Sequence, residues 1–357
     1  MDMNTLATRI RQWGRELGFQ EIGIADTDLG EAEAQLQRWL RQKYHGDMEW
    51  MAAHGHKRSR PEELEPGTLR VICARMDYLP GERMPEEEAL GRPERAYISR
   101  YALGRDYHKL VRRRLARLAA RIREAVPQTS VARALVDSAP VMEKPLAARA
   151  GLGWQGKHTL LLNRHAGSWF FLGEIYTDLP LPVDAPVTDH CGSCTRCMEV
   201  CPTGAITAPY ELDARKCISY LTIEHRGSIP EALRPLMGNR VFGCDDCQLF
   251  CPWNRYADFT DEPDFHPRHG LDQARLAELF LWSREQFLRN TEGSPLRRTG
   301  HEGWLRNLAI GLGNGPATRE AMEALRARAD HESALVREHV DWALRRLEQK
   351  ATDTTAR

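Results

Sequence analysis

Cysteine spacing constrains this chain more than any other feature. Eight of its nine cysteines fall between residues 191 and 251. The first group, Cys191, Cys194, Cys197 and Cys201 followed by Pro202, spells CxxCxxCxxxCP. In such a run three thiolates hold one [4Fe-4S] cluster and the fourth crosses to a neighbouring cluster. The second group repeats the pattern with its leading cysteine displaced upstream: Cys217, then Cys244, Cys247 and Cys251 followed by Pro252. Crossed ligation therefore predicts Cys191, Cys194, Cys197 and Cys251 around cluster one, and Cys201, Cys217, Cys244 and Cys247 around cluster two. Paired CxxC motifs also bind structural zinc, but zinc explains neither the third cysteine at the same spacing nor the two Cys-Pro endings. The CxxxCxxC order of radical S-adenosylmethionine enzymes is absent.

Two [4Fe-4S] clusters imply one-electron chemistry in a reducing compartment, and the rest of the sequence agrees. The N-terminus carries arginines on an amphipathic helical pattern instead of the apolar core of a secretory signal, and no stretch is apolar enough to span a membrane, so the expected location is the cytoplasm. Cysteines there serve as ligands or thiols and not as bridges. Cys73, alone on an apolar strand, reads as a core residue. Lys and Arg number 50 against 50 Asp and Glu, so no global field draws the chain to a polyanion and any such site must be a local patch.

With 357 residues the chain is long enough for two or three domains. Hydrophobic periodicity predicts helices at 5–17, 30–42, 107–125 and 142–150 and strands at 20–25, 69–76, 131–136 and 169–176, an α/β domain over 1–180 in a chain of α+β or α/β class. Pro180, Pro182 and Pro186 mark a connector into a ferredoxin-type domain at 181–260, where periodicity is weak and metal ligation holds the backbone. Helical patterns return at 275–348, with apolar faces at Leu305, Leu308, Leu312, Leu325, Val336, Val340 and Leu347, and tight turns between them resemble HEAT-type repeats. Residues 349–357 read as a disordered tail.

Three further features call for weighing. Gly151, Gly153 and Gly156 with Lys157 satisfy GxGxxG, but a helix precedes them and a strand follows, the reverse of a nucleotide-binding loop. They read instead as a helix cap and a place where backbone approaches something bulky, such as a flat cofactor ring. Asp137 ends an apolar strand before a helix start, consistent with helix capping or with catalysis. The helix at 107–125 and its approach carry Arg105, Lys109, Arg112, Arg113, Arg114, Arg117, Arg121 and Arg123 without glutamates at i±4, a basic face suited to phosphates.

Three segments together resemble the epoxyqueuosine reductase family: LVDSAPVMEKPLAARAGLGWQGKHTLLLN, CGSCTRCMEVCPTGAI and RKCISYLTIEHRGSIPEALRPLMGNRVFGCDDCQLFCPWNR. The likeness extends over most of the chain. It implies a cobalamin-dependent enzyme that removes the epoxide oxygen of epoxyqueuosine at the tRNA wobble position, consuming two electrons and two protons. Asp137 then becomes the proton donor to the opening epoxide, and a raised pKa would suit that role.

The same resemblance implies cobalamin contacts at Arg58, Tyr107, Asp137, Lys157, His158, Ser219 and Asp245. It implies tRNA contacts at Arg226, Arg240, Arg297 and Arg298 beside Arg112 and Arg113 of the basic helix. The DxHxxG loop that offers cobalt a histidine in other cobalamin proteins is absent, since Val111 stands where its glycine would be. Cobalamin is therefore expected base-off, without a protein histidine on cobalt. Expected partners are tRNAs with GUN anticodons (Asp, Asn, His and Tyr) and an external low-potential electron donor, with no membrane; a monomer suffices. Two alternatives remain at this level: a reductive dehalogenase-like cobalamin enzyme acting on a small molecule, and a non-catalytic two-cluster electron carrier.

Overall fold

A computed structural model of the chain describes residues 2–81 and 85–355. Its N-terminal half is built on a four-stranded sheet. In chain order the strands are β1 (Glu21–Ala25), β2 (Arg70–Asp77), β3 (Ala132–Leu135) and β4 (Phe170–Thr177), and in space they run β1-β2-β4-β3. Every neighbouring pair is antiparallel, so the alternation of helices and strands is realised as α+β and not as a parallel α/β sheet. All residues of β4 are buried, as a strand covered on both faces requires.

One face of the sheet is covered by α1 (Met3–Glu16) and, beyond α2 (Gly30–Arg41), by α3 (Tyr107–Ala125). Leu6, Ile10, Leu115, Leu118 and Ile122 recur at helical spacing and pack on Ile72 and Ile175. Asp2 caps α1 by accepting the N–H groups of Asn4 and Thr5 at 3.0 and 2.9 Å. The other face is covered by α4 (Glu143–Arg149), whose Leu146 and Ala147 meet Val71, Leu172 and the fully buried Cys73.

The second half has its own core, but it does not divide from the first at residue 180. Ala96, Ile98, Ala102 and Leu103 belong to it, and Tyr97–Ile98 pairs in parallel with the strand Arg240–Phe242. The cysteine segment, with α5 (Ile218–Ile223), sits between the halves. Behind it lie α6 (Leu276–Phe280), α7 (Arg284–Asn290), α8 (Gly300–Asn314), α9 (Arg319–Arg326) and α10 (Ala334–Thr355). α8 is buried nearly all round, and two of its polar side chains bind carbonyls of the cysteine segment. Arg306, with no exposed surface, donates to the carbonyls of Leu221, His225 and Gly227, and Asn307 donates to those of Thr222 and Val241.

The expected disordered tail is corrected here. α10 runs on to Thr355, and Lys350 Nζ donates to the carbonyls of Gly313, Asn314 and Gly315 at 3.0, 2.8 and 2.7 Å. These acceptors would otherwise end α8 unpaired, so the lysine gives the tail a reason to stay helical. Residues 356 and 357 lie outside the described residues. Among the described residues no helix is long and apolar enough to cross a membrane.

Candidate active site

Asp137 follows β3 on a loop that ends where α4 begins. It caps no helix, since Met142 occupies the position before α4. Its side chain instead turns back to the start of α3. Asp137 Oδ2 accepts from Tyr107 OH at 2.7 Å and lies 3.1 Å from His108 Nε2. His108 Nδ1 is 2.6 Å from Asp106 Oδ1, and Asp106 also caps α3 through the His108 N–H. The rings of His108, Tyr107 and Phe171 form one stack, with centroids 4.2 and 3.8 Å apart. Behind the loop, the Asp137 N–H donates to Glu143 Oε1 at 2.6 Å, and Arg112 donates to Ser138 Oγ at 2.7 Å.

The charge states differ from the expectation of a raised Asp137. Burial pushes its carboxyl up, but the hydrogen bonds from His108 and Tyr107 outweigh it and leave the carboxyl below its usual range. Burial likewise pulls His108 down, while Asp106 and Asp137 overcome that and hold the imidazole at about 9. At neutral pH the pair is thus an imidazolium facing a carboxylate.

Tyr107 also lines a cavity of about 390 Å³. Its aromatic walls include Tyr78, Tyr101, Phe170 and Phe171, and Cys201, Cys217, Cys244 and Cys247 line another side. The remaining four cysteines, Cys191, Cys194, Cys197 and Cys251, line a separate smaller pocket with Trp253 and His190. Cys251 thus shares a pocket lining with three cysteines of the first run, although it belongs to the second run in sequence, and Cys201 lines the cavity with those of the second. Burial and the thiols of Cys191, Cys197 and Cys194 push Cys251 up to about 11.

His158 stands in the wall shared by both pockets. Its Nδ1 accepts from the Leu160 N–H at 3.1 Å, which leaves Nε2 as the protonated donor, and that atom is buried without a partner among the described residues. Burial holds the ring neutral, at about 4. Ser219 and Asp245 line the large cavity, and the Asp245 carboxylate is held in place by hydrogen bonds from Ser99, Tyr97 and the Arg100 N–H. Arg58 is buried over Trp50 and is influenced by the charge of Asp137. Lys157 is corrected from cofactor contact to support for the smaller pocket, because its amino group donates to the carbonyls of Gly192 and Cys194 at 2.6 and 2.9 Å. Two of the loop glycines before it approach backbone: a Cβ on Gly151 (φ +75) would stand 2.7 Å from Ala185 O, and one on Gly153 2.0 Å from Leu162 O.

The expected tRNA contacts separate into two groups. Arg240 is corrected: its guanidinium is sequestered in a buried ion pair with Asp246 and is not a surface contact. Arg226 donates to the carbonyls of Thr299 and Arg298, Arg297 to that of Leu288, and Arg298 pairs with Glu224 while half exposed. The basic helix is also more neutralised than its own sequence shows. Acids from elsewhere reach it, Glu262 to Arg114, Glu16 to Arg121 and Asp264 to Arg105, while Arg112, Arg113 and Arg117 stay exposed.

Sequence reasoning missed His108, Asp106, Glu143 and Glu174 as parts of the site. His108 and Asp137 lie 29 positions apart and only the fold brings them together. Glu174 did leave a signal, a glutamate inside the apolar strand FFLGEIYT.

Comparison with known proteins now bears on this geometry. A family model described as 4Fe-4S double cluster binding domain matches residues 190–254, and one described as epoxyqueuosine reductase QueG matches residues 58–138. The epoxyqueuosine reductase of Pseudomonas aeruginosa is 65% identical, over 97% of this chain and 95% of its own. The chain belongs to the epoxyqueuosine reductase family. A crystal structure of an epoxyqueuosine reductase with an epoxyqueuosine-modified tRNA-Tyr stem loop superposes with a TM-score of 0.86 at 25% identity, covering 96% of this chain and 90% of that one. The family member from Bacillus subtilis, with its catalytic aspartate loop swung out of the active site, superposes with a TM-score of 0.85 at 26% identity, again over 96% and 90%.

Proposed function

We propose that this chain reduces the epoxide of epoxyqueuosine at the wobble position of tRNA to queuosine, with two [4Fe-4S] clusters carrying electrons from an external low-potential donor and cobalamin held in the large cavity. One observation carries the reading: a carboxyl with a protonated partner stands beside a cavity that is aromatic on one side and lined by four cluster-type cysteines on another. Family membership makes the chain an oxidoreductase of tRNA modification.

Cluster one would be held by Cys191, Cys194, Cys197 and Cys251, and cluster two by Cys201, Cys217, Cys244 and Cys247, next to the cavity. The cavity suits cobalamin. Flat rings line it, and the unpartnered Nε2–H of His158 is a buried donor of the kind that amide arms or a phosphate would satisfy. The same protonation leaves His158 no lone pair for cobalt at Nε2, which fits a base-off cofactor without a protein histidine. Ser219, Tyr107 and Arg58 would complete the contacts. Cobalamin, when bound, supplies a reducible metal next to the strained carbon–oxygen bond.

The protein's own contribution is positioning and protons. Asp137 delivers a proton to the epoxide oxygen, and the loop contacts from Glu143 and Arg112 set its place. Wobble bases lie in a single-stranded loop, so Arg112, Arg113, Arg297 and Arg298 hold backbone phosphates near the cavity mouth while the modified base enters, with the C-terminal HEAT-like helices backing that surface. The tRNAs are those with GUN anticodons.

The test is anaerobic turnover of reconstituted protein with cobalamin, a strong reductant and epoxyqueuosine-containing tRNA, read by nucleoside mass spectrometry. Loss of one oxygen from the modified base, dependent on cobalamin, is the expected result; intact clusters without that loss would sink the reading. Asp137→Asn is expected to keep clusters and cobalamin and to stop turnover.

A further inference from the structure

We infer that His108 stores the proton that Asp137 hands to the epoxide, with Asp106 fixing the imidazole. This rests on the reading of Asp137 as donor given above. The three side chains form a continuous array, Asp106 Oδ1 to His108 Nδ1 at 2.6 Å and His108 Nε2 to Asp137 Oδ2 at 3.1 Å.

The array is rigid at one end and open at the other. Asp106 is pinned as the cap of α3, and the imidazole is stacked on Tyr107, which is itself stacked on Phe171. Side-chain exposure is 28% for His108 and 53% for Asp137, so solvent can reload the first while substrate meets the second.

Asp137 alone is a poor store. Two hydrogen bonds, from Tyr107 and His108, stabilise its anion, so it donates only after receiving a proton. Tyr107 is no alternative source, because burial and the Asp137 charge push its hydroxyl well above its ordinary value. The titratable groups acting on His108 and Asp137 include Asp106, Glu143, Glu174, Lys144, Arg58 and Arg298, and of the ionisable groups among the described residues only His108 and Tyr107 sit within hydrogen-bond reach of the Asp137 carboxylate. The balance of charge agrees, since His108 keeps its proton to about 9 while Asp137 stays below its usual range.

Stoichiometry shows why a reloadable store matters. The epoxide, two electrons and two protons become a carbon–carbon double bond and water. The first proton goes to the epoxide oxygen as one carbon–oxygen bond breaks, and the second to the resulting hydroxyl as it leaves. The two electrons come from the low-potential donor. The relay discharges twice per turnover and reloads from solvent at the exposed edge of His108.

The experiment is chemical rescue. His108→Ala is expected to lower kcat by about 100-fold or more, the scale of general acid catalysis, with KM for tRNA and the cluster and cobalamin absorption unchanged. Added imidazole is expected to restore rate in proportion to its protonated fraction, and Asp137→Asn to show no rescue. His108→Gln, which keeps a hydrogen bond without an exchangeable acid, serves if the alanine variant folds poorly; it is expected to be equally slow and to lose the wild-type fall in kcat as pH rises through about 9. A variant with wild-type kcat, or a slow, fully loaded alanine variant that imidazole does not restore, overturns the inference. Failure of the underlying reading is seen separately, as wild-type protein that forms no queuosine.

Discussion

Glu143 accepts the Asp137 N–H at 2.6 Å while lying against Glu174, a carboxyl with no exposed surface at the centre of the sheet. Glu174 finds no geometrically formed hydrogen bond among the described residues, and burial together with the neighbouring Glu143 pushes it well above the usual carboxylate range. Burial and the Asp137 charge raise Glu143 from an ordinary 4.5 to about 8. The acid behind the Asp137 loop is therefore neutral at physiological pH.

A raised carboxyl binds its proton more tightly in the folded state, so its contribution to stability falls as pH rises from about 4.5 to about 8. Glu143→Gln keeps the acceptor for Asp137 and removes the ionisation. Its thermal midpoint is expected to match wild type at pH 5 and to exceed it by about 1 °C or more at pH 8, the shift that roughly 1 kcal/mol produces in a chain of this size. Equal midpoints at both pH values would show that Glu143 ionises freely.

Ligand crossing is checked by single cysteine changes. Cys251→Ser is expected to remove the cluster shared with Cys191, Cys194 and Cys197, and Cys201→Ser the one beside the large cavity, each lowering iron from about eight to about four atoms per chain. Spectra that assign Cys251 to the cavity-side cluster would contradict the partition.

Arg113 and Arg240 are expected to behave oppositely. Arg113→Ala removes an exposed charge and should weaken tRNA binding modestly while reducing the salt slope by about one. Arg240→Ala strands the buried Asp246 and should lower stability by about 3 kcal/mol, in denaturant melts, without changing the salt slope of tRNA binding.

Lys350→Ala removes the donor to three terminal carbonyls of α8 and is expected to cost about 1 kcal/mol in the same melts. A chain ending after Glu348 should lose as much.

The elements that carry strong periodicity were legible. The predicted helix at 107–125 matches α3, and the four predicted strands match β1 to β4 within about two residues. Strand direction was not, because local patterning of β1 and β2 does not encode which neighbour each will pair with. The cysteine spacing pointed to the two sets that line the two pockets, since ligand chemistry fixes spacing. The surroundings of Asp137 were not: His108, Glu143 and Glu174 approach it from three elements, and Arg240 looked like a surface charge because its partner Asp246 sits amid the cysteines and not on a helical repeat.

Cys251 joining the pocket of Cys191, Cys194 and Cys197 also sets an order of events during synthesis. Neither cysteine run closes a ligand set by itself, so a ribosome that has released only the first run offers three thiolates to an incoming cluster and no fourth. With the proposed crossed ligands, the set for cluster two would be complete once residue 247 has left the exit tunnel and that for cluster one once residue 251 has, and by then the antiparallel sheet upstream has all its strands. Insertion of the inorganic centres would thereby follow synthesis of the sheet, and a product truncated before residue 247 would lack a full ligand set for either cluster.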